Sequence, residues 1–248
     1  MSIINKNGIK FRELVLVDKI KECDGIISFY FKDKEGKKLT KHKPGQFLPF
    51  QIQTNDSKYS SVIRTYSLSM IPNENMYRIS VKKIEGGLIS TYLHDNLKVG
   101  DIIEAMEPAG IFTIKESSKH RPIVLLSAGI GVTPLLSMLY QESKNRKDIY
   151  FVQSVQNSLI QPFKYDIEYI CKKHGLNNIV FYSKSLETDK EGIDYNFKGR
   201  VNKDWIKNNL PIDADFYFCG PPQFMKSIEE SLIDLGINKE SINYELFN

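Results

Sequence analysis

The chain has 248 residues, 41% of them hydrophobic and 26% charged, and a formal net charge of +4. This composition excludes a disordered or fibrous chain, and charges this evenly interleaved do not make a nucleic-acid footprint. Three widely spaced cysteines, Cys23, Cys171 and Cys219, with no CxxC pair, exclude a disulfide framework, a structural zinc site and an iron–sulfur cluster.

In chain order, the opening MSIINKNGIKFREL has no apolar core of signal-peptide length. No stretch reaches the roughly 18 apolar residues of a membrane-spanning helix, so a cytoplasmic, reducing setting without membrane insertion is expected. The first half is written in short strands. FRELVLVDKI alternates, IISFYFKD follows, FLPFQIQT alternates again and YRISVKKI repeats the pattern, with breaks at KPGQ, IPNEN and KVGD. DIIEAMEP and AGIFTI read as closing strands, which makes an antiparallel barrel or sandwich. Ahead of these two, ISTYLHDNL reads as a short helix after Gly86-Gly87, with Ser90 as its cap. The lysine excess over Lys32 to Lys43 reads as a basic loop or as an attraction for an acidic partner.

From about residue 120 the rhythm changes. RPIVLLSAG is a strand apolar throughout its centre, as strands buried on both faces are, and TPLLSMLYQESK is a helix with Pro134 in its first turn. DIYFVQSV, FKYDIEYICKKHG, NIVFYSKS, NKDWIKNNLP, ADFYFCG and PQFMKSIEESLIDLG continue the alternation of strand and helix. Such alternation with short connections predicts a parallel α/β sheet. The polar KESSKHRP marks the boundary between an antiparallel β domain over 1–117 and an α/β domain over 118–248.

Two glycine turns carry the chemistry of the second half. In SAGIGVTP, Gly129 and Gly131 separate an apolar strand from a helix, where a missing side chain admits a pyrophosphate and the helix offers free N–H groups. The third glycine of the full dinucleotide fingerprint is absent, so this turn alone weighs equally as a corner and as a nucleotide site. CGPPQFM, again between strand and helix, supplies a second strand end and with it a crevice. Cys219 reads there as a small thiol lining a pocket more than as a nucleophile.

Taken in order, KPGQF, RTYSLS, GGLISTYLHD, EPAGIF, AGIGVTP, FKGRV, CGP and the C-terminal YELF resemble the ferredoxin–NADP reductase superfamily, and most closely the reductase portion of flavohemoglobins, over residues 8 to 248. The resemblance implies an N-terminal six-stranded antiparallel Greek-key barrel that binds FAD. It also implies a C-terminal Rossmann-like parallel α/β sheet that binds NAD(P)H, with the flavin at their junction. Residue by residue, Arg64 matches the arginine that pairs with flavin phosphate, Thr65 lies beside it, Tyr66 matches the tyrosine against the isoalloxazine ring and Ser67 the serine near its N5. Val81 and Lys82 fall in the strand that edges the flavin. Gly87, Leu88, Ile89 and Ser90 match the segment that meets the pyrophosphate. Gly129, Gly131, Thr133 and Pro134 match the nicotinamide-nucleotide loop, and Cys219, Gly220 and Pro221 line the hydride-transfer region. Phe247 matches a C-terminal aromatic near the flavin. Tyr66, Ser67, Cys219 and Phe247 are thereby the expected catalytic positions.

The residue types suit these roles. A guanidinium matches phosphate by its forked donors and permanent charge; a tyrosine offers a flat apolar face with a polar tip; hydride transfer between cofactors requires no general base. His94, in YLHDNL, reads as a surface or capping residue. The likeness leaves out the globin half, so the implied activity takes hydride from NADH, with NADPH as the second choice, onto FAD. Electrons then pass to a separate carrier (ferredoxin, flavodoxin or haem protein) or to a small acceptor such as free flavin, quinone, ferric iron or oxygen. NADH is favoured because no arginine stands near the end of IYFVQS, although Lys184 and Arg200 lie further along. The rival readings are an electron-transfer or regulatory subunit of the same fold, and a reductase that releases free flavin. No metal site and no nucleic-acid partner are expected.

Overall fold

The structure, a computed structural model, describes residues 3–4 and 10–247. It divides into two compact units, residues 1–113 and 114–248.

The first unit contains β1 (Ile3–Ile4), β2 (Lys10–Cys23), β3 (Ile26–Asp33), β4 (Phe47–Ile52), β5 (Arg64–Ser67), β6 (Tyr77–Lys82), helix α1 (Leu88–Asp95) and β7 (Ile102–Ala105). Six strands pair antiparallel in the order β5-β4-β7-β2-β3-β6, and β1 adds to β2. A bridge between Leu68 and Ile79, with the Ser69 amide donating to the Arg78 carbonyl at 2.9 Å, joins the two ends into a barrel. Its interior is apolar, with Phe29, Phe31, Leu48, Phe50 and Ile79 fully buried. Ile89 and Leu93 of α1 extend the same cluster, so the helix is packed onto the barrel through its apolar face.

Two strand assignments change. The expected closing strand AGIFTI is not one: only Ala109 makes a bridge, to Phe47, and the chain then turns, with Thr113 N–H on the Ile111 carbonyl. The sixth strand is instead β5, RTYS, which at four residues is too short to show alternation.

The second unit contains β8 (Ile123–Ala128), α2 (Val132–Glu142), β9 (Ile149–Val155), α3 (Lys164–His174), β10 (Asn177–Tyr182), β11 (Phe197–Lys198), α4 (Lys203–Asn209), β12 (Asp215–Cys219), α5 (Pro222–Asp234) and β13 (Ile242–Glu245). The strands run parallel in the order β11-β10-β9-β8-β12-β13. β8 and β12 are buried at every residue, as central parallel strands covered on both faces are. The chain winds outward from β8 through β9 to β10 and returns on the other side at β12. The order therefore reverses between β8 and β12, and ligands in such sheets bind outside the carboxyl ends of the strands at that point. Two short edge strands, β11 and β13, went unread in the sequence because neither has an apolar run of its own.

Candidate flavin and nicotinamide half-sites

In the barrel unit, β5 presents the first group of residues. Arg64 and Thr65 are exposed, Tyr66 is half-buried and Ser67 is buried. The Tyr66 ring stacks on Phe50, with centroids 5.6 Å apart and planes at 29°, so its orientation is set by the core. Burial pushes the Tyr66 hydroxyl up to about 12, against the opposing pull of Arg64, and keeps it neutral. Among the described residues Arg64 donates only to the carbonyl of its neighbour Ile63, at 2.9 Å, which leaves most of its fork for a ligand.

The Leu68–Ile79 bridge sets β6 beside the end of β5, with Val81 buried and Lys82 exposed. The chain then passes Gly86-Gly87 into α1. Ser90 does not cap this helix: the N-cap is Gly87, without a side-chain cap, and no acid stands in the first turn. The Ser90 hydroxyl instead accepts from the Ile84 amide at 3.3 Å. It does so because the chain folds back tightly there. A Cβ on Gly87 would lie 2.5 Å from Ser90 Oγ and 3.0 Å from the Ile84 carbonyl oxygen. Glycine thus leaves open a cradle that a side chain would fill, in front of amides that no side chain caps. Tyr59, in the loop leading to Arg64, packs on Tyr92 of α1 with ring centroids 4.7 Å apart, which brings that loop beside the helix. The residues present therefore fit a flavin with a diphosphate tail. His94 is no surface residue: its ring is half-buried, edge-on to Phe29, with Nε2 on the Val81 carbonyl at 2.8 Å.

In the α/β unit the glycine turns fall at the ends of β8 and β12. Gly129 has φ of +54° with open space where its Cβ would be, so it makes the turn. Gly131 has a different task. A Cβ there would lie 2.2 Å from the Cys219 carbonyl oxygen and 2.6 Å from the Gly220 nitrogen, so this glycine lets one turn press on the other. Gly220 answers it, since its own Cβ would fall 2.9 Å from that of Ala128. Helix α2 starts at N-cap Gly131, again with no side-chain cap and no acid in its first turn. Thr133 donates from Oγ1 to the Ile130 carbonyl at 3.0 Å and, like Pro134, is buried. Cys219 is fully buried, and its thiol is pushed far up by burial and by Glu245, so it is no thiolate nucleophile. Pro221 is exposed, and Phe247 remains 40% exposed after β13.

Glu245, beside Cys219 in the β12–β13 register, was not singled out in the sequence. Its Oε2 is buried without a hydrogen-bond partner, and burial pushes its carboxyl up to about 7. A folded value above the unfolded one means that stability is lost as pH rises from roughly 4.5 to 7 and stays low above that. Discounting for the water that still reaches part of the group, Glu245→Gln is expected to gain about 1–3 kcal/mol over the parent at pH 8 and almost nothing at pH 4.5. Urea midpoints at the two pH values check this, and equal differences at both would refute it.

The lysine-rich stretch is less basic in space than in sequence. Lys34 pairs with Glu13 at 3.0 Å, Lys38 with Glu74 at 2.8 Å, and Lys37 with Glu35. No helix among the described residues is long and apolar enough to cross a membrane.

A barrel with an uncapped phosphate-ready helix, followed in the chain by a parallel sheet with glycine turns at its switch point, defines a class: oxidoreductases that use a flavin and a pyridine nucleotide. Residues 13–114 match the oxidoreductase FAD-binding domain and residues 125–230 the oxidoreductase NAD-binding domain. The flavohemoprotein of Bacillus thuringiensis subsp. konkukian is 39% identical over 246 residues, covering 96% of this chain and 61% of the relative. The chain thus spans about three fifths of the length of the curated relatives it matches. Among solved structures, the flavohem-like FAD/NAD-binding domain of nitric oxide dioxygenase from Vibrio cholerae superposes with a TM-score of 0.86 at 33% identity, covering 95% of this chain and 98% of that one. The cytochrome b5 reductase domain of Ulva prolifera nitrate reductase shares the fold, with a TM-score of 0.80 at 19% identity and 98% of each chain covered. The chain belongs to the FAD- and NAD-binding oxidoreductases of the ferredoxin–NADP reductase superfamily, in the branch that forms the reductase portion of flavohemoproteins. It is an NAD(P)H-dependent FAD oxidoreductase that passes electrons on to an acceptor.

Proposed function

We propose that the donor is NADH, that the residues assembled above hold the two cofactors, and that the electrons leave to a haem protein outside these 248 residues. The observation that carries the cofactor assignment is that α1 and α2 each begin at a glycine with no side-chain cap and no acid in the first turn, although in α2 the Val132 amide already donates to the Gly129 and Ile130 carbonyls. Free N–H groups at the positive end of a helix call for an anion, and both cofactors bring a diphosphate.

Arg64 gives its fork to a flavin phosphate, while Tyr66, stacked on Phe50 and neutral, lays its face against the ring system. Ser67 supplies an uncharged hydrogen bond near N5, and Thr65, Val81 and Lys82 line the same flavin. Gly87, Leu88, Ile89 and Ser90 form the turn over the diphosphate. Gly129, Gly131, Thr133 and Pro134 receive the nicotinamide nucleotide, with Cys219, Gly220 and Pro221 closing that pocket. Bound FAD supplies the acceptance of a hydride and the onward release of electrons; the protein binds, orients and excludes water.

NADH is supported by Asp189, whose carboxylate lies at the far end of β9, where it accepts from Ser158 Oγ at 2.5 Å and from the Leu186 amide at 2.9 Å. A fixed negative charge there repels a ribose 2′-phosphate. Haem as the acceptor is supported by the relatives, which are flavohemoproteins by name. A reducing, cytoplasmic setting accords with the free thiols of Cys23, Cys171 and Cys219.

Anaerobic mixing of the purified protein with each nucleotide tests this reading. The flavin band is expected to bleach at least about tenfold faster with NADH than with NADPH, since a like-charge contact costs several kcal/mol. Equal rates would remove the donor assignment, and no bleaching with either would remove the cofactor sites.

A further inference from the structure

Strand β2 is the longest in the barrel unit, and its pairing with β3 slips once near the middle. Leu16 faces Phe31, but the next partners are Asp18 and Tyr30, so Val17 is an extra residue. Such a bulge re-aims every side chain beyond it. Continued alternation from Leu14 and Leu16 would send Ile20 inward; Ile20 is instead 42% exposed. Lys19 takes the inner face, opposite the buried Phe29, with its ammonium 5.4 Å from that ring.

There the ammonium meets α1. Lys19 Nζ donates to the carbonyls of Leu93 at 3.1 Å, His94 at 2.7 Å and Leu97 at 3.1 Å, using the three donors that it has. These carbonyls belong to the last turn of α1 and the residues just past it, the negative end of the helix. The helix's own basic residue in that turn, His94, is turned away to bond the Val81 carbonyl. Lys19 is partly stripped of water for this, and burial holds its ammonium below its ordinary value. α1 has only eight residues, about 12 Å and too short to be stable by itself. Its order at one end therefore depends on what holds the other.

We propose that Lys19 is a positioning residue for FAD: placed on the inner face of the barrel by the Val17 bulge, it pins the C-terminal end of α1 and so holds the amides at the N-terminal end in place for the flavin diphosphate. The inference rests on the reading that those amides meet the diphosphate. Held donors bind an anion without first being ordered, and a cation at the negative end leaves the helix's positive end uncompensated towards the ligand.

The test uses the full chain, stripped of flavin and reloaded, with FAD and with riboflavin, which carries the ring and ribityl chain but no phosphate. Lys19→Met keeps the stem over Phe29 and removes the charge. It is expected to weaken FAD binding about tenfold, the effect of a partly buried charge at a helix end, while riboflavin affinity stays within about twofold; Lys19→Arg, which keeps the charge, is expected to restore most of the FAD affinity. FAD affinity within about twofold of the parent in Lys19→Met overturns the inference, and so does a parallel loss for FAD and riboflavin, which would mean that the barrel was merely loosened. Arg64→Ala run alongside separates the two levels. If it weakens FAD and Lys19→Met does not, only the role of Lys19 falls; if Arg64→Ala leaves FAD binding intact, the phosphate reading itself falls.

Discussion

Arg64→Ala is expected to weaken FAD binding by about ten- to a hundredfold, the range for losing a charge-assisted hydrogen-bonded contact of about 1.5–3 kcal/mol. The exposed guanidinium contributes nothing visible to the fold: its one hydrogen bond is to the carbonyl next to it. Its replacement should therefore leave the unfolding midpoint of the flavin-free chain nearly unchanged. That contrast makes the result interpretable, because a residue that holds only a ligand should lose only the ligand. Arg64→Lys, which retains charge but not the fork, should fall between the two. Titration of stripped protein with FAD measures all three, and full affinity in the alanine variant would take Arg64 off the site.

The second large effect is expected from a single methyl group. Gly131→Ala would drive its Cβ to 2.2 Å from the Cys219 carbonyl oxygen, and the obstructing atoms are backbone. No side chain can swing aside, so one of the two turns must move, at an overpacking cost of about 2–3 kcal/mol. Because the same turns make up the proposed nicotinamide half-site, the KM for NADH should rise while FAD content stays that of the parent. Gly129→Ala provides the comparison. Its Cβ meets open space, and only the left-handed backbone resists it, at about 1–2 kcal/mol. Urea midpoints should thus rank parent, Gly129→Ala, Gly131→Ala. The reverse order would mean that the close approach at Gly131 relaxes at little cost.

These two glycines show why the sequence could be read so far and no further. Both stand out in SAGIGVTP as a break between a strand and a helix, and both read as turn or ligand residues. Only the fold separates them, because the atom that forbids a side chain at Gly131 belongs to Cys219, on a strand met much later in the chain. Ser90 illustrates a smaller version of the same limit. A serine ahead of an apolar stretch reads as a cap, yet the chain enters the helix at Gly87 and the hydroxyl turns to Ile84.

What the sequence determined by itself was the division of labour: period-two strands ahead of about residue 117, buried strands alternating with amphipathic helices after it, and the ordered motifs from RTYS to CGP that mark a flavin reductase. Those properties are local, since periodicity and turn chemistry act over a few neighbouring residues. Tertiary structure decided the rest. It made RTYS the sixth barrel strand in place of AGIFTI, sent Lys19 inward through one extra residue in β2, and left Glu245 with a buried oxygen beside Cys219. Each of these depends on register and close approach between segments far apart in the chain, and a one-residue slip in register exchanges the two faces of a strand.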